Sequence, residues 1–320
     1  MQAFAQRDDV QLPGAQSIHP ARFNALTDRS NVKGLRQTAG HLGTLCVTGW
    51  FVTAGQESAF LLAIALVLHG VVLVFLFAPL HECIHFTAFR SRWLNTVVSN
   101  LAGFLLILPP RYFRSFHLAH HRHTQDPVRD PELPKPKLDT WPTYLWHVSG
   151  LPFWWERTST TVRHAFGRTS DAYIDVHHRR LIVREARCFV VAYAGVGMIA
   201  VGFEVDALLW LWGLPAVIGQ PVLRLFLLAE HSGCDLGDDP FGNTRTTHTS
   251  WLVRTLSWNM CYHAEHHLAA AVPFHALPRL HRVVAHRLRC EGVGYYAVNR
   301  SLLPHSRRIA RHPTSSERGG

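Results

Sequence analysis

The stretch FLLAIALVLHGVVLVFLFAPL (residues 60–80), running without a break into HECIH (81–85), decides how this chain is read. It carries no Asp, Glu, Lys or Arg and only one polar side chain, His69. A helix rising about 1.5 Å per residue over this length crosses a hydrocarbon core of about 30 Å. At its end, with no linker, stand two histidines at i and i+4, which share one helical face. An apolar span that delivers a pair of imidazoles to the membrane surface is an unusual use of sequence, and the rest of the chain repeats it.

Outward from this stretch, Lys and Arg are absent from residues 37–89 and again from 188–223, while the remainder is Arg-rich and the formal charge is +10. Nucleic-acid binding has no need of two cation-free apolar blocks. Membrane insertion under the positive-inside rule does. Each block divides at a short acidic turn, AGQES (54–58) and EVD (204–206), giving spans near 41–54, 60–80, 189–203 and 207–228. Residues 94–110 (LNTVVSNLAGFLLILPP) are marginal in length and end in Pro-Pro, which suits either a fifth span or a re-entrant helix. The expected architecture is all-α: an integral membrane bundle of about four spanning helices in two hairpins, capped on the cytosolic side by helices bearing the histidines. Both turns face outward in this arrangement, so the two termini and residues 81–186 share the cytosolic side, with a bacterial inner membrane as the expected location. Residues 1–39 read as a cytosolic lead-in without an apolar leader, 40–285 as the membrane domain, and 286–320 as a basic tail whose last dozen residues are disordered. The six cysteines form no CxxC pair and read as reduced, buried residues.

Nine of the 23 histidines form an ordered set: His81 and His85 in HECIH, His117, His120 and His121 in HLAHH, His263, His266 and His267 in HAEHH, and His231 directly after the last apolar span. Positions i, i+3 and i+4 of a helix fall on one face within one turn. All three clusters and His231 lie on the same deduced side of the membrane, so nine imidazoles can meet at the mouth of the bundle. Neutral imidazole ligates iron and zinc. One zinc takes four ligands, so nine suit two metal ions of about four or five ligands each with a position left for oxygen. His69, alone on an apolar face, reads as structural, and His123 as a spare beside the second cluster.

The pattern HxxxH, HxxHH, HxxHH on paired membrane hairpins resembles the membrane fatty acid desaturase superfamily, which also includes acyl hydroxylases, carotenoid ketolases and alkane hydroxylases. The resemblance spans about residues 60–285 and is carried by RYFRSFHLAHHRHTQDPVRDPE (111–132) and YHAEHHLAAAVPFHALPRLH (262–281). It implies that the eight cluster histidines are ligands of two irons and that His231 is the ninth. It further implies O2-dependent oxidation of a long apolar or fatty acyl substrate, by desaturation or else by hydroxylation or ketolation. The first cluster has one residue fewer between its histidines than stearoyl-type desaturases, which separates this chain from their substrate. No flavin, nucleotide, iron–sulfur or cytochrome b5-like motif is encoded, so an external donor such as ferredoxin, rubredoxin or cytochrome b5 with its reductase is expected. Arg111, Arg114, Arg122, Arg129, Lys135, Lys137, Arg279, Arg282 and Arg287, around the second and third clusters, offer it a basic surface.

Metal-bound imidazoles usually donate their remaining N–H to a nearby acceptor. Glu82, Asp126, Asp130, Glu230, Asn259 and Glu265 are the candidates, with Asp126 and Asp130 equally suited to turns beside Pro127 and Pro131. Read literally, HECIH is also a zinc-peptidase motif with Glu82 as base, which leaves a membrane zinc hydrolase, or a metal transporter, as the competing class.

Overall fold

The computed structural model describes residues 20–133 and 137–304; the expectations for residues 1–19, for Lys135 and for the last dozen residues fall outside this range. Short helix α1 (Pro20–Leu26) leads to α2 (Asn31–Ala54), α3 (Ala59–Val74) and α4 (Phe77–Ile84). The hydroxyls of Ser30 and Ser58 cap α2 and α3 by accepting from the backbone N–H groups of Lys33 and Leu61. Then follow α5 (Arg92–Leu105), α6 (Pro110–His123), α7 (Trp141–Val148), α8 (Leu151–Ala165) and α9 (Val176–Gly202). A π-helical turn over Leu209–Gly213 runs into α10 (Leu214–His231). The C-terminal region folds back as α11 (Pro240–Asn243), β1 (Thr246–His248), α12 (Trp251–Leu256), α13 (His263–Leu268), α14 (Leu277–Val284), β2 (Glu291–Val293) and α15 (Tyr295–Ser301). Strands β1 and β2 pair in parallel with Thr246 opposite Glu291.

The chain is an all-α membrane bundle, as expected, with three spans, or four if the bent pair α5–α6 counts as one, though not all at the expected residues. Among the described residues, three helical stretches are each long and apolar enough to cross: Ala59–Ile84, Val176–Gly202 and Leu209–His231. The span expected at 41–54 lies inside α2, which has the length to cross but not the composition, because Gln37, His41 and repeated Thr and Gly dilute it. Residues 94–110 do not form one straight helix. They divide between α5 and α6, which meet at 94°. Pro109 and Pro110 break the helix there, and Ile107, at a φ of 52°, turns the chain. Helix α9 begins well before residue 189, so its basic first half continues the apolar span into the cap.

Two devices hold the bundle. Helices α3 and α10 cross at Gly70 and Gly219, where a Cβ on either would meet the other's backbone; close crossing at small residues is how helices pack in lipid, where apolar burial alone gives little. Polar side chains tie the contact further. His69 bonds the Thr48 hydroxyl (2.9 Å) and the Leu211 carbonyl (3.0 Å), and His41 donates to the Val72 carbonyl (2.9 Å). His69 is therefore structural, as its isolated position suggested.

One expectation is corrected. Cys234 and Cys290 form a disulfide, and of the four free cysteines only Cys83 and Cys261 are buried, Cys46 and Cys188 being exposed. The pair is 56 residues apart in sequence. It is brought together by β1–β2 pairing and by Arg289, which bridges to Asp239 (2.8 Å) and Asp235 (3.4 Å).

Candidate metal centre

Each histidine reaches the centre through the element that ends or begins there. Helix α4 carries His81 at its last turn and His85 as its C-cap. Helix α6 carries His117, His120 and His121, α10 ends on His231, and α13 carries His263, His266 and His267. The orientation of α6 is fixed from outside: the buried carboxylate of Glu185 on α9 accepts from the backbone N–H of Arg111 (3.0 Å) and Tyr112 (3.4 Å) at its N-terminus. Before α13, Trp258 and Asn259 take φ values of 52° and 60°, a left-handed pair that turns the chain into the third cluster.

All nine histidines converge, in two groups. His81, His85, His117, His121 and His266 form one, and His120, His231, His263 and His267 the other; the ligand atoms in each lie within 4.8 Å of one another. Nε2 of His117 stands 2.8 Å from that of His81 and 2.9 Å from that of His121, and His266 lies 3.1 Å from His121. In the second group His231 Nε2 lies 3.1 Å from both His120 and His263.

Several Nδ1 atoms are committed elsewhere. His117 donates to Glu132 (2.8 Å), His120 to Asp130 (2.9 Å), and His231 to the Asn243 carbonyl (3.3 Å). With the proton on Nδ1, each Nε2 presents a lone pair toward the other lone pairs, an arrangement that calls for a cation between them. Two nitrogens bound to one ion at about 2.1 Å and at right angles stand about 3 Å apart, matching these separations. Buried Nε2 atoms of His85 and His267 have no hydrogen-bond partner. The donor set thus fits two metal ions. Burial first, then the neighbouring imidazoles, hold His263, His266 and His267 well below the ordinary histidine range, in the neutral form that ligates.

The residues expected to receive imidazole N–H groups divide. Asp130 does so, and also accepts from the backbone N–H of Gln125 and Glu132 (both 2.9 Å). Glu230 stands 3.4 Å from His263 Nδ1. Asp126 instead forms the turn, accepting from Val128 N–H (2.9 Å) and Arg129 N–H (3.0 Å). Glu82 accepts from the Thr87 hydroxyl (2.8 Å) and Phe274 N–H (3.3 Å), and Asn259 donates to the Phe274 carbonyl (3.1 Å). Both brace the segment after α13 and touch none of the nine imidazoles. Glu265 accepts from Thr246 (2.5 Å) and from His281, locking α13 onto β1 and α14. The positioning residues that sequence reasoning missed are Glu132, Glu185, Thr246 and His281. Only Glu132 had a signal, two residues from Asp130 in DPE, and nothing in that spacing says which imidazole it meets. His123 is in neither group.

Beside the centre lies a cavity of about 420 Å³ lined by His120 and His231, by Phe77, Phe113 and Phe116, and by Arg157 and Arg224, with Arg157 4.9 Å from the Phe116 ring centroid. Its size is ordinary for a small-molecule site.

A membrane helical bundle with nine converging imidazoles is a scaffold for metal ions. The fatty acid desaturase model matches residues 58–299, and the chain belongs to that family. It is 27% identical over 272 residues to a dihydrorhizobitoxine desaturase of Bradyrhizobium elkanii, covering 80% of this chain and 73% of that one. It is 23% identical over 262 residues to an sn-1 oleoyl-lipid 12-desaturase of Picosynechococcus, covering 74% and 72%.

Proposed function

We propose that the protein catalyses O2-dependent desaturation of a fatty acyl or similar lipid substrate at a nine-histidine di-iron centre, with electrons from an external donor. The observation that carries this reading is the division of the nine histidines into groups of five and four, each converging on one point. Bound iron would supply the redox chemistry, activating O2 on reduction and removing hydrogen from an unactivated C–H bond. The chain's own part is positional. Asp130 and Glu132 hold His120 and His117 as Nδ1–H tautomers, so Nε2 is the ligating atom. Phe77, Phe113 and Phe116 in the cavity lining offer the apolar part of the substrate contact beside His120 and His231.

Desaturation is preferred to hydroxylation or ketolation because the relatives are named desaturases. A zinc hydrolase using HECIH is disfavoured because one zinc takes four ligands and would leave most of the nine converging imidazoles without a metal. The donor is a ferredoxin, rubredoxin or cytochrome b5 docking on the cytosolic face, where Arg122, Arg129, Lys137, Arg279 and Arg282 are exposed. Product analysis by mass spectrometry after expression in a bacterial host tests the reading. A lipid lighter by two hydrogens, absent when O2 is withheld, is the expected result; a product heavier by one oxygen would move the assignment to a hydroxylase.

A further inference from the structure

The cavity beside the centre is not lined as a pocket for a plain hydrocarbon. Two guanidiniums, Arg157 on α8 and Arg224 on α10, flank the ring of Phe153, with their central carbons 5.7 and 4.4 Å from its centroid. Four carboxylates also line the cavity, and each is engaged. Asp130 and Glu132 accept from imidazoles, Glu230 faces His263, and the exposed Glu156 pairs with Arg157 at 2.7 Å. Arg157 is buried; it donates to Glu156 and to the Tyr112 hydroxyl (3.1 Å), yet its Nε has no partner. Among the described residues no carboxylate lies within ion-pair distance of Arg224. Its hydrogen-bond partner among the described residues is neutral: the Gln220 amide oxygen, when turned toward it, accepts at 3.1 and 3.2 Å.

Glu132 and Glu230 lie near Arg224 but face imidazoles, and Glu156 is paired with Arg157. Two guanidiniums against one ring, one with an unpartnered Nε and the other hydrogen-bonded only to a neutral amide among the described residues, keep N–H donors open to an anion. Resting on the di-iron reading above, we infer that Arg224, with Arg157 behind it, binds an anionic group of the substrate, a carboxylate or a phosphate. A guanidinium suits both through paired N–H donors. The same cavity reaches His120 and His231, so the reacting carbon is near the anion rather than deep in a long acyl chain.

The test uses the full-length, iron-loaded protein in neutral detergent, with decanoate, decyl phosphate and methyl decanoate as probes and the thermal unfolding midpoint as readout. Wild type should bind an anionic probe at least tenfold more tightly than the ester. Arg224→Gln should abolish that preference while leaving ester affinity and iron content unchanged, and Arg224→Lys should retain part of it. Comparing variants cancels the partition of the probes into micelles. Tighter binding of decyl phosphate than of decanoate points to a phospholipid headgroup, and the reverse to a free acid. Equal affinity for acid and ester in the wild type, or a preference that survives Arg224→Gln, overturns the inference. If Arg224→Gln does not fold, the wild-type comparison still decides. Iron measured on the same samples keeps failure of the di-iron reading separate.

Discussion

Asp126 and Asp130 come from one proline-punctuated segment and differ in consequence. Asp130 is buried against His120, whereas Asp126 closes an exposed turn. Asp130→Asn or Glu132→Gln should therefore weaken iron binding by about 10–100-fold, the usual cost of losing an acceptor behind a ligating imidazole. Asp126→Asn should leave iron content unchanged, and metal analysis of the three variants side by side checks both statements. Protonation supplies a second expectation. His263, His266 and His267 are held below the ordinary value of 6.5 by burial first, so below that pH the unfolded chain takes up protons that the folded centre refuses. The iron-free protein should keep its stability above about pH 6.5 and lose it progressively as pH falls, measured as a falling unfolding midpoint. A midpoint flat from pH 7.5 to 5 would contradict this. At this scale the imidazoles were legible because i, i+3, i+4 spacing is a helical fact. Their acceptors were legible only in part: Asp130 and Glu230 were candidates, whereas Glu132 acts from a loop with no helical spacing to mark it, and Glu82, inside the motif itself, bonds Thr87 instead.

Among the elements, α6 depends on a side chain far from it in sequence. Glu185 on α9 accepts from the first N–H groups of α6, so Glu185→Ala should cost about 1–2 kcal/mol and disturb the second cluster. A lowered unfolding midpoint accompanied by reduced iron occupancy is expected; reduced stability with iron intact would confine Glu185 to the scaffold. The disulfide behaves oppositely. It closes a loop of 56 residues, worth up to about 4 kcal/mol by loop entropy, yet neither sulfur belongs to the histidine groups. Cys234→Ser should lower the midpoint and leave iron bound. Apolar runs gave away α3, α9 and α10, because a membrane leaves length and composition as the dominant constraints. Hidden from them were the 94° bend between α5 and α6, set by Pro109, Pro110 and a left-handed Ile107, and the disulfide, which needs the β1–β2 register.

For the whole molecule, the helix order brings all nine histidines together, and Arg122, Arg129, Arg279 and Arg282, near the second and third clusters in sequence, are exposed. If an acidic donor docks there, turnover at sub-saturating donor should fall steeply with salt, and Arg122→Glu should raise the donor concentration needed without removing iron. A rate indifferent to salt would break the docking argument and leave the centre untouched. The membrane spans were readable from the missing Lys and Arg, since charge is the costliest thing to bury in lipid. The mixed lining of the cavity was not, because Arg157 and Arg224 meet only when α8 packs beside α10. The central claim is two metal ions held by nine histidines, and metal analysis of the purified protein tests it most directly. The account predicts close to two irons per chain, with His120→Ala and His266→Ala each losing metal and activity together. One zinc per chain, or full iron and activity in either variant, would contradict it.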